Sequence, residues 1–228
     1  MVFLEMPGKK SSSNNEVLKI HVSPKIGEVS AKINESEKPI ALLTLAHGAG
    51  IDMNHKFMTD LSESLSALQI STLRFNFPYT ENGRKMPDRL PVATATVKAV
   101  LEYAASNFSL PIFAGGKSFG GRMTSHTLAE HPSVDIKGII FFGFPLHPPG
   151  APSIDRAEHL QSVKQPMLFL QGDKDALAYK DLIEKVCGSI SDATLELFEN
   201  TDHSFNRGKQ STISDLAQRT RHWLENLL

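Results

Sequence analysis

Cysteine occurs once in the 228 residues, at Cys187, so a disulfide within the chain and a multi-cysteine zinc cluster are both excluded. The lone thiol reads as a helix-borne core or near-surface group. A charge excess of either sign is also lacking. Lys and Arg total 24 against 25 Asp and Glu, a formal net charge of -1, which leaves no electrostatic footprint for nucleic acid or an anionic membrane. No apolar run approaches the roughly 18 residues of a membrane span. The start Met1–Lys10 has neither the basic lead nor the apolar core of a signal peptide, so the expected location is cytoplasmic. No H-E-x-x-H or other metal spacing occurs among the histidines.

What is present is an ordinary soluble composition, 40% hydrophobic and 21% charged, which fits one domain over residues 1–228. Residues 1–15 form its lead-in, where Lys10–Asn15 reads as a loose segment or a turn between two short strands. Val17–Val22 and Ile26–Ile33 alternate apolar and polar residues around Ser23-Pro24-Lys25, as an antiparallel edge hairpin does. Phe57, Leu61, Leu65 and Leu68 fall at helical spacing, and Ile70–Asn76 follows as a strand. Val97, Leu101, Ala104 and Phe108 mark another helix face, opened near its first turn by Pro91. Ile136–Gly143 reads as a strand. Tyr179, Leu182, Ile183 and Val186 mark a helix, and Ile213, Leu216, Thr220, Trp223 and Leu227 a last amphipathic one. Strands alternating with helices imply the α/β class, with a mostly parallel sheet covered on both faces.

Chemistry concentrates in four turns. Gly115–Gly121 lie between the apolar run Pro111–Ala114 and the helix-like Arg122–His131, and Gly116-Lys117-Ser118-Phe119-Gly120 spells G-x-S-x-G. In a strand–turn–helix setting this elbow lifts the Ser118 hydroxyl above the sheet edge. Gly116-Lys117-Ser118 also ends a Walker A pattern, but its first glycine would fall on Pro111 and strand-like Ile112-Phe113-Ala114 would fill the loop, so nucleotide binding is set aside. The buried strand pattern Ile40–Ala46 runs into His47-Gly48-Ala49-Gly50, a small-residue turn whose amides can face a ligand. The amides of Phe119 and Ala49, with Gly50 as alternative to Ala49, are the candidate oxyanion donors. Downstream, the strand Pro166–Gln171 is followed by Gly172-Asp173-Lys174-Asp175, and the strand Thr194–Phe198 by a turn that holds Asp202-His203-Ser204. Ser, Asp and His in that order, each just beyond a strand, match a nucleophile, orienting acid and general base. Ser118 and His203 fill two of the roles; Asp173 and Asp175 compete for the third, and Asp202 reads as a loop cap.

On His47-Gly48-Ala49-Gly50, Arg74-Phe75-Asn76-Phe77-Pro78, Gly115–Met123, Phe144–Pro149 and Asp202-His203-Ser204, the chain resembles the α/β-hydrolase superfamily over nearly all its length. More narrowly it is similar to the small dienelactone-hydrolase-like branch, near the testis-expressed and histone-acetyltransferase NSL-complex subunit group. The resemblance implies an α/β-hydrolase fold and a serine hydrolase of an ester, thioester or related acyl bond, with Asp175 as the acid and Asp173 as turn-former. It implies no cofactor or metal, a small-molecule acyl substrate, no nucleic-acid or membrane partner, and a monomer or homodimer. Dienelactone hydrolases carry a Cys nucleophile where this chain has Ser118, so their substrate does not carry over. Larger relatives insert a lid between the sixth and seventh core strands. Phe144–Gln165 here holds four prolines and one short helix pattern, which predicts no cap domain and an open pocket. Some members of the branch serve as subunits of assemblies, so an interaction module is the alternative function.

Three side chains, Lys117 in the elbow, Arg74 and His147, are further candidates for substrate binding, with cations recognising an acidic group. Against that, Arg74 and Arg122 are expected to be held by structural salt bridges, and His47 to shape the oxyanion turn by hydrogen bonding.

Overall fold

The structure is a computed structural model that describes residues 17–132, 135–208 and 210–228. The expected lead-in over Lys10–Asn15 lies outside the described residues. Eight strands form one sheet: Val17–Ser23 (β1), Gly27–Asn34 (β2), Ala41–Ala46 (β3), Ile70–Phe75 (β4), Ile112–Lys117 (β5), Ile139–Phe142 (β6), Met167–Gly172 (β7) and Ala193–Phe198 (β8). Their order is β1-β2-β4-β3-β5-β6-β7-β8. The β1–β2 and β2–β4 pairs are antiparallel and the other pairs parallel.

Strands β3 to β7 are buried at every position, which requires apolar residues on both faces and explains their near-continuous hydrophobic runs. Alternation then sorts each strand between two cores. Leu42, Ala46, Phe141 and Phe169 face one core, where Val97 and Leu101 of Leu90–Asn107 (α3, after the short helix α2, Pro78–Glu81) pack with Met123 and Leu128 of Phe119–Glu130 (α4). Ile183 and Val186 of Lys180–Gly188 (α5) join them. Leu43, Leu45, Phe142 and Leu168 face the other core, opposite Met58, Leu61 and Leu65 of Lys56–Ala67 (α1) and Leu216 and Leu224 of Ile213–Glu225 (α6).

Two departures from the sequence reading have local causes. The elbow strand continues beyond Ala114 to Lys117, carrying Gly115 and Gly116 in the sheet instead of in the turn. A Cβ on Gly115 would lie 2.6 Å from the Ile140 carbonyl oxygen, so only glycine fits between β5 and β6 there. The strand read over Ile136–Gly143 shortens to Ile139–Phe142. The helix α2 and the ribbon of Asn206–Arg207 (β9) with Gln210–Ser211 (β10) are too short to show a periodicity. The connection from β6 to β7 is described throughout and holds one 3-10 helix, Asp155–Ser162, with no cap.

The carboxyl end of β3 and the first turn of α4 touch backbone to backbone. A Cβ on Gly120 would lie 2.4 Å from the Ala46 carbonyl oxygen and 2.6 Å from that of His47. Gly120→Ala is therefore expected to lower folding stability by about 1–3 kcal/mol. Gly188→Ala at the end of α5, where a Cβ meets nothing within 4 Å, should leave it unchanged or raise it by up to ~1 kcal/mol. Urea denaturation of both variants checks this, and equal losses would contradict it.

Candidate active site

Ser118 is the hinge between β5 and α4, with φ 49° and ψ −114°, outside the comfortable regions for a residue with a Cβ. Such a conformation costs of order 1–3 kcal/mol and persists only where the surroundings impose it. Here Gly116 and Gly120 let the flanking strand and helix close on each other, and the Ser118 amide donates to the Phe142 carbonyl at 3.2 Å. The hydroxyl is thereby lifted off the sheet. Its Oγ lies 2.8 Å from Nε2 of His203, and Nδ1 of His203 lies 2.6 Å from Oδ2 of Asp175. With the Nδ1–H of His203 donating to the carboxylate, the Nε2 lone pair is free to take the Ser118 proton.

The structure separates the two candidate carboxylates. Asp175 is buried at 2% exposure and meets His203, while its Oδ1 accepts from the Leu177 amide at 2.7 Å and its Oδ2 from the Gln171 carboxamide. Asp173 instead accepts from the Thr201 amide at 3.2 Å, tying the turn after β7 to the turn after β8. Asp202 caps its own loop, accepting from the amides of Ser204 and Asn206. Gln171 was not singled out in the sequence. Its carboxamide oxygen accepts from the Phe144 amide at 2.9 Å, so it braces Asp175 against the loop after β6; a glutamine four residues before the acid was the one signal available.

A cavity of about 390 Å³ opens beside this trio, walled by Ala49, Ile51, Phe57, Ser118, Leu177 and His203. Ala49 and Gly50 form an exposed turn after β3, and the Phe119 amide begins α4. Hollows of about 660 and 590 Å³ elsewhere have no histidine on their walls and hence no hydroxyl–imidazole pair.

A family model described as alpha/beta hydrolase domain matches residues 39–225. The chain belongs to that family. Among solved structures, an α/β serine hydrolase homologue from Coxiella burnetii matches with TM-score 0.74 and 21% identity, over 96% of this chain and 100% of its own. An α/β serine hydrolase without lid from Xanthomonas campestris gives 0.75 and 19%, over 97% and 98%. A dienelactone hydrolase from Anabaena variabilis gives 0.74 and 18%, over 95% and 100%. These likenesses show the fold, an α/β-hydrolase sheet flanked by helices.

In this family member the three further candidates sit differently from the sequence expectation. Lys117 reaches the cavity wall, but its ammonium donates to the His203 carbonyl at 2.6 Å and lies between the rings of Phe57 and Phe205. Arg74 turns away and donates to the Met53 carbonyl at 2.9 Å. His147 is enclosed: one ring nitrogen lies 2.9 Å from the Pro148 carbonyl, and the other accepts from the Tyr179 amide at 3.2 Å. Strands end beneath these residues, but the folded loops spend their polar atoms on backbone. The expected salt bridges of Arg74 and Arg122 do not form among the described residues.

His47 shapes the turn after β3 as its position suggested. Its Nδ1 lies 2.9 Å from the Gly48 carbonyl, and Nε2 accepts from the Phe77 amide at 3.1 Å, which fixes a neutral tautomer. Burial pushes the imidazole down to about 4, against the Gly48 carbonyl and Asp52. Burial likewise pushes the Lys117 ammonium down to about 8, against the pull of Asp175 and Asp202. Both groups bind protons more weakly folded than unfolded, so each makes stability rise with pH through its own window. For His47 the window runs from about 4 to about 6.5, and for Lys117 from about 8 to about 10.5. Chemical denaturation across pH should show both slopes, with His47→Gln flattening the acid one and Lys117→Met the alkaline one. Unchanged slopes in the variants would refute the burial account.

Proposed function

We propose that this chain is a serine hydrolase that cleaves an ester, thioester or related acyl bond through an acyl-enzyme. The observation that carries the reading is the unbroken Ser118–His203–Asp175 hydrogen-bond chain, at 2.8 and 2.6 Å, opening on a cavity. Ser118 Oγ attacks the acyl carbon as His203 Nε2 takes its proton. Asp175 holds the ring in the right tautomer and stabilises the imidazolium that forms. The carbonyl oxygen gains negative charge and is held by the amides of Phe119 and Ala49; of the two turn amides, Gly50 has its backbone beside the Tyr79 hydroxyl, which favours Ala49. Collapse of the tetrahedral adduct breaks the bond to the leaving group, which departs with the His203 proton. Water, deprotonated by His203, then hydrolyses the acyl-serine and restores both residues.

This chemistry asks for no metal or cofactor. The capless connection after β6 leaves the cavity open to solvent, which suits small acyl substrates and a chain acting as monomer or homodimer. The similarity to dienelactone-hydrolase-like proteins supports the acyl-bond class, and the serine in the elbow points away from their own substrate.

A fluorophosphonate probe should label the native protein once per chain. Ser118→Ala should abolish labelling, and His203→Ala or Asp175→Asn should slow it by at least about a hundredfold. Absence of labelling on folded native protein, or labelling that survives Ser118→Ala, would overturn the assignment.

A further inference from the structure

One group of side chains near the elbow is unexplained by the chemistry above. Arg122 stands on the first turn of α4, its amide bonded to the Ser118 carbonyl at 3.1 Å. Helical side chains lean toward the amino terminus, which for Arg122 is the direction of the elbow. Arg156 stands on the first turn of the 3-10 helix packed against α4. Its one hydrogen bond is a long one, 3.5 Å from Nη1 to the Pro145 carbonyl. Arg122 thus stands one helical turn from Ser118, and the charge of Arg156 acts on it.

Neither arginine has an acidic partner among the described residues. Arg122 is more than half buried, its Nε is fully enclosed without a hydrogen-bond partner, and its nearest charge is the like charge of Arg156. Two imidazoles complete the group: His126 and His159 stack with centroids 3.5 Å apart, and His159 Nε2 lies 2.7 Å from the Ser125 hydroxyl. Burial, with Arg122 adding to it, pushes His126 down to about 4; burial, then His126 and Arg122, push His159 down to about 3. Half-buried like charges with no counter-charge are costly, and a fold that keeps them has a reason to hold an anion there.

We infer that Arg122 and Arg156 form an anion subsite that binds a compact oxyanion, a carboxylate or a phosphate, carried by the acyl substrate several bonds from the scissile carbon. The inference rests on the hydrolase reading of Ser118 and adds a substrate class to it. Ile51 and Phe57 line the cavity from the α1 side of Ser118, and Arg122 stands on α4, which packs on the other face of the sheet. A substrate with an apolar arm and an anionic arm spans the crest between them. Planar guanidiniums suit either oxyanion through paired N–H donors.

The test compares three esters with one leaving group: a neutral acyl chain, the same chain ending in a carboxylate, and one ending in a phosphate. The native protein should favour at least one anionic ester in kcat/KM. Arg122→Gln and Arg156→Gln should each reduce the anionic-to-neutral ratio by about tenfold to a hundredfold, and Arg→Lys should restore part of it. Which anionic ester is favoured identifies the oxyanion. A native protein that treats all three alike, or a ratio that survives both substitutions, overturns the inference. Should no ester turn over and Ser118 resist the fluorophosphonate, the hydrolase reading falls by itself and binding decides the subsite. Glutarate or inorganic phosphate raising the thermal midpoint of the native protein, but not of the Gln variants, supports it. No shift with either anion refutes it.

Discussion

The contact on which the site depends is backbone against backbone, where the first turn of α4 meets the last residues of β3 and β5. Gly116, Gly120 and Gly121 leave no side chain in the gap: a Cβ on Gly116 would stand 2.6 Å from the Gly121 nitrogen, and one on Gly121 would stand 2.7 Å from the Gly116 carbonyl oxygen. So close an approach allows the chain only one residue in which to turn from strand to helix. Ser118 is that residue, and its positive φ follows from the packing. The strain raises the hydroxyl clear of the sheet, where an imidazole can reach it. The same approach brings the turn after β3, with Ala49, alongside the start of α4. The proposed nucleophile and oxyanion donors are set by one constraint.

A second close approach does for His203 and Asp175 what the first does for Ser118. Gly172 admits the Thr201 carbonyl oxygen to 2.2 Å from where its Cβ would be, so the turns after β7 and β8 lie against each other. Asp173 stitches them through the Thr201 amide, and Asp202 closes the histidine loop on itself. Lys117 then reaches across from the elbow to the His203 carbonyl, tying the loop that carries the base to the residue before the nucleophile. Its charge is kept in an apolar slot between Phe57 and Phe205, where ring faces and the carbonyl replace water. The lysine thus supports the geometry with its ammonium held on the His203 carbonyl.

Much of this was legible in the sequence because parallel strands buried on both faces write themselves as apolar runs, and the functional residues follow those runs directly. Ser118 and Asp175 each stand just after one, and His203 follows the partly buried edge strand β8. Spacing alone offers two carboxylates to one imidazole; the family resemblance chose Asp175, and the folded turns bring Asp175, not Asp173, to His203. The roles of Arg74, His147 and Lys117 were not legible for a different reason. A polar side chain near a strand end can face a ligand or a backbone carbonyl, and the choice depends on loop conformations that leave no periodic trace. Gln171 was hidden likewise, as a polar residue ending a hydrophobic strand. The unpaired state of Arg122 could not be read either, because it is defined by the acids that fail to approach it.

The lack of a cap gives these loops a larger share in recognition. In a lidded hydrolase an inserted domain can shape the pocket, whereas here the 3-10 helix Asp155–Ser162 is the only element between β6 and β7. It packs on α4 and carries Arg156, whose charge acts on Arg122, so even this short connection contributes a cation to the proposed anion subsite. On the opposite side α1 contributes Phe57, which is both wall of the cavity and cover for Lys117. Discrimination at an open site must come from charge and from apolar contact at fixed positions, because no closing lid adds binding energy. The apolar wall of the cavity and the proposed anion subsite meet that requirement with elements that the sheet already holds rigid.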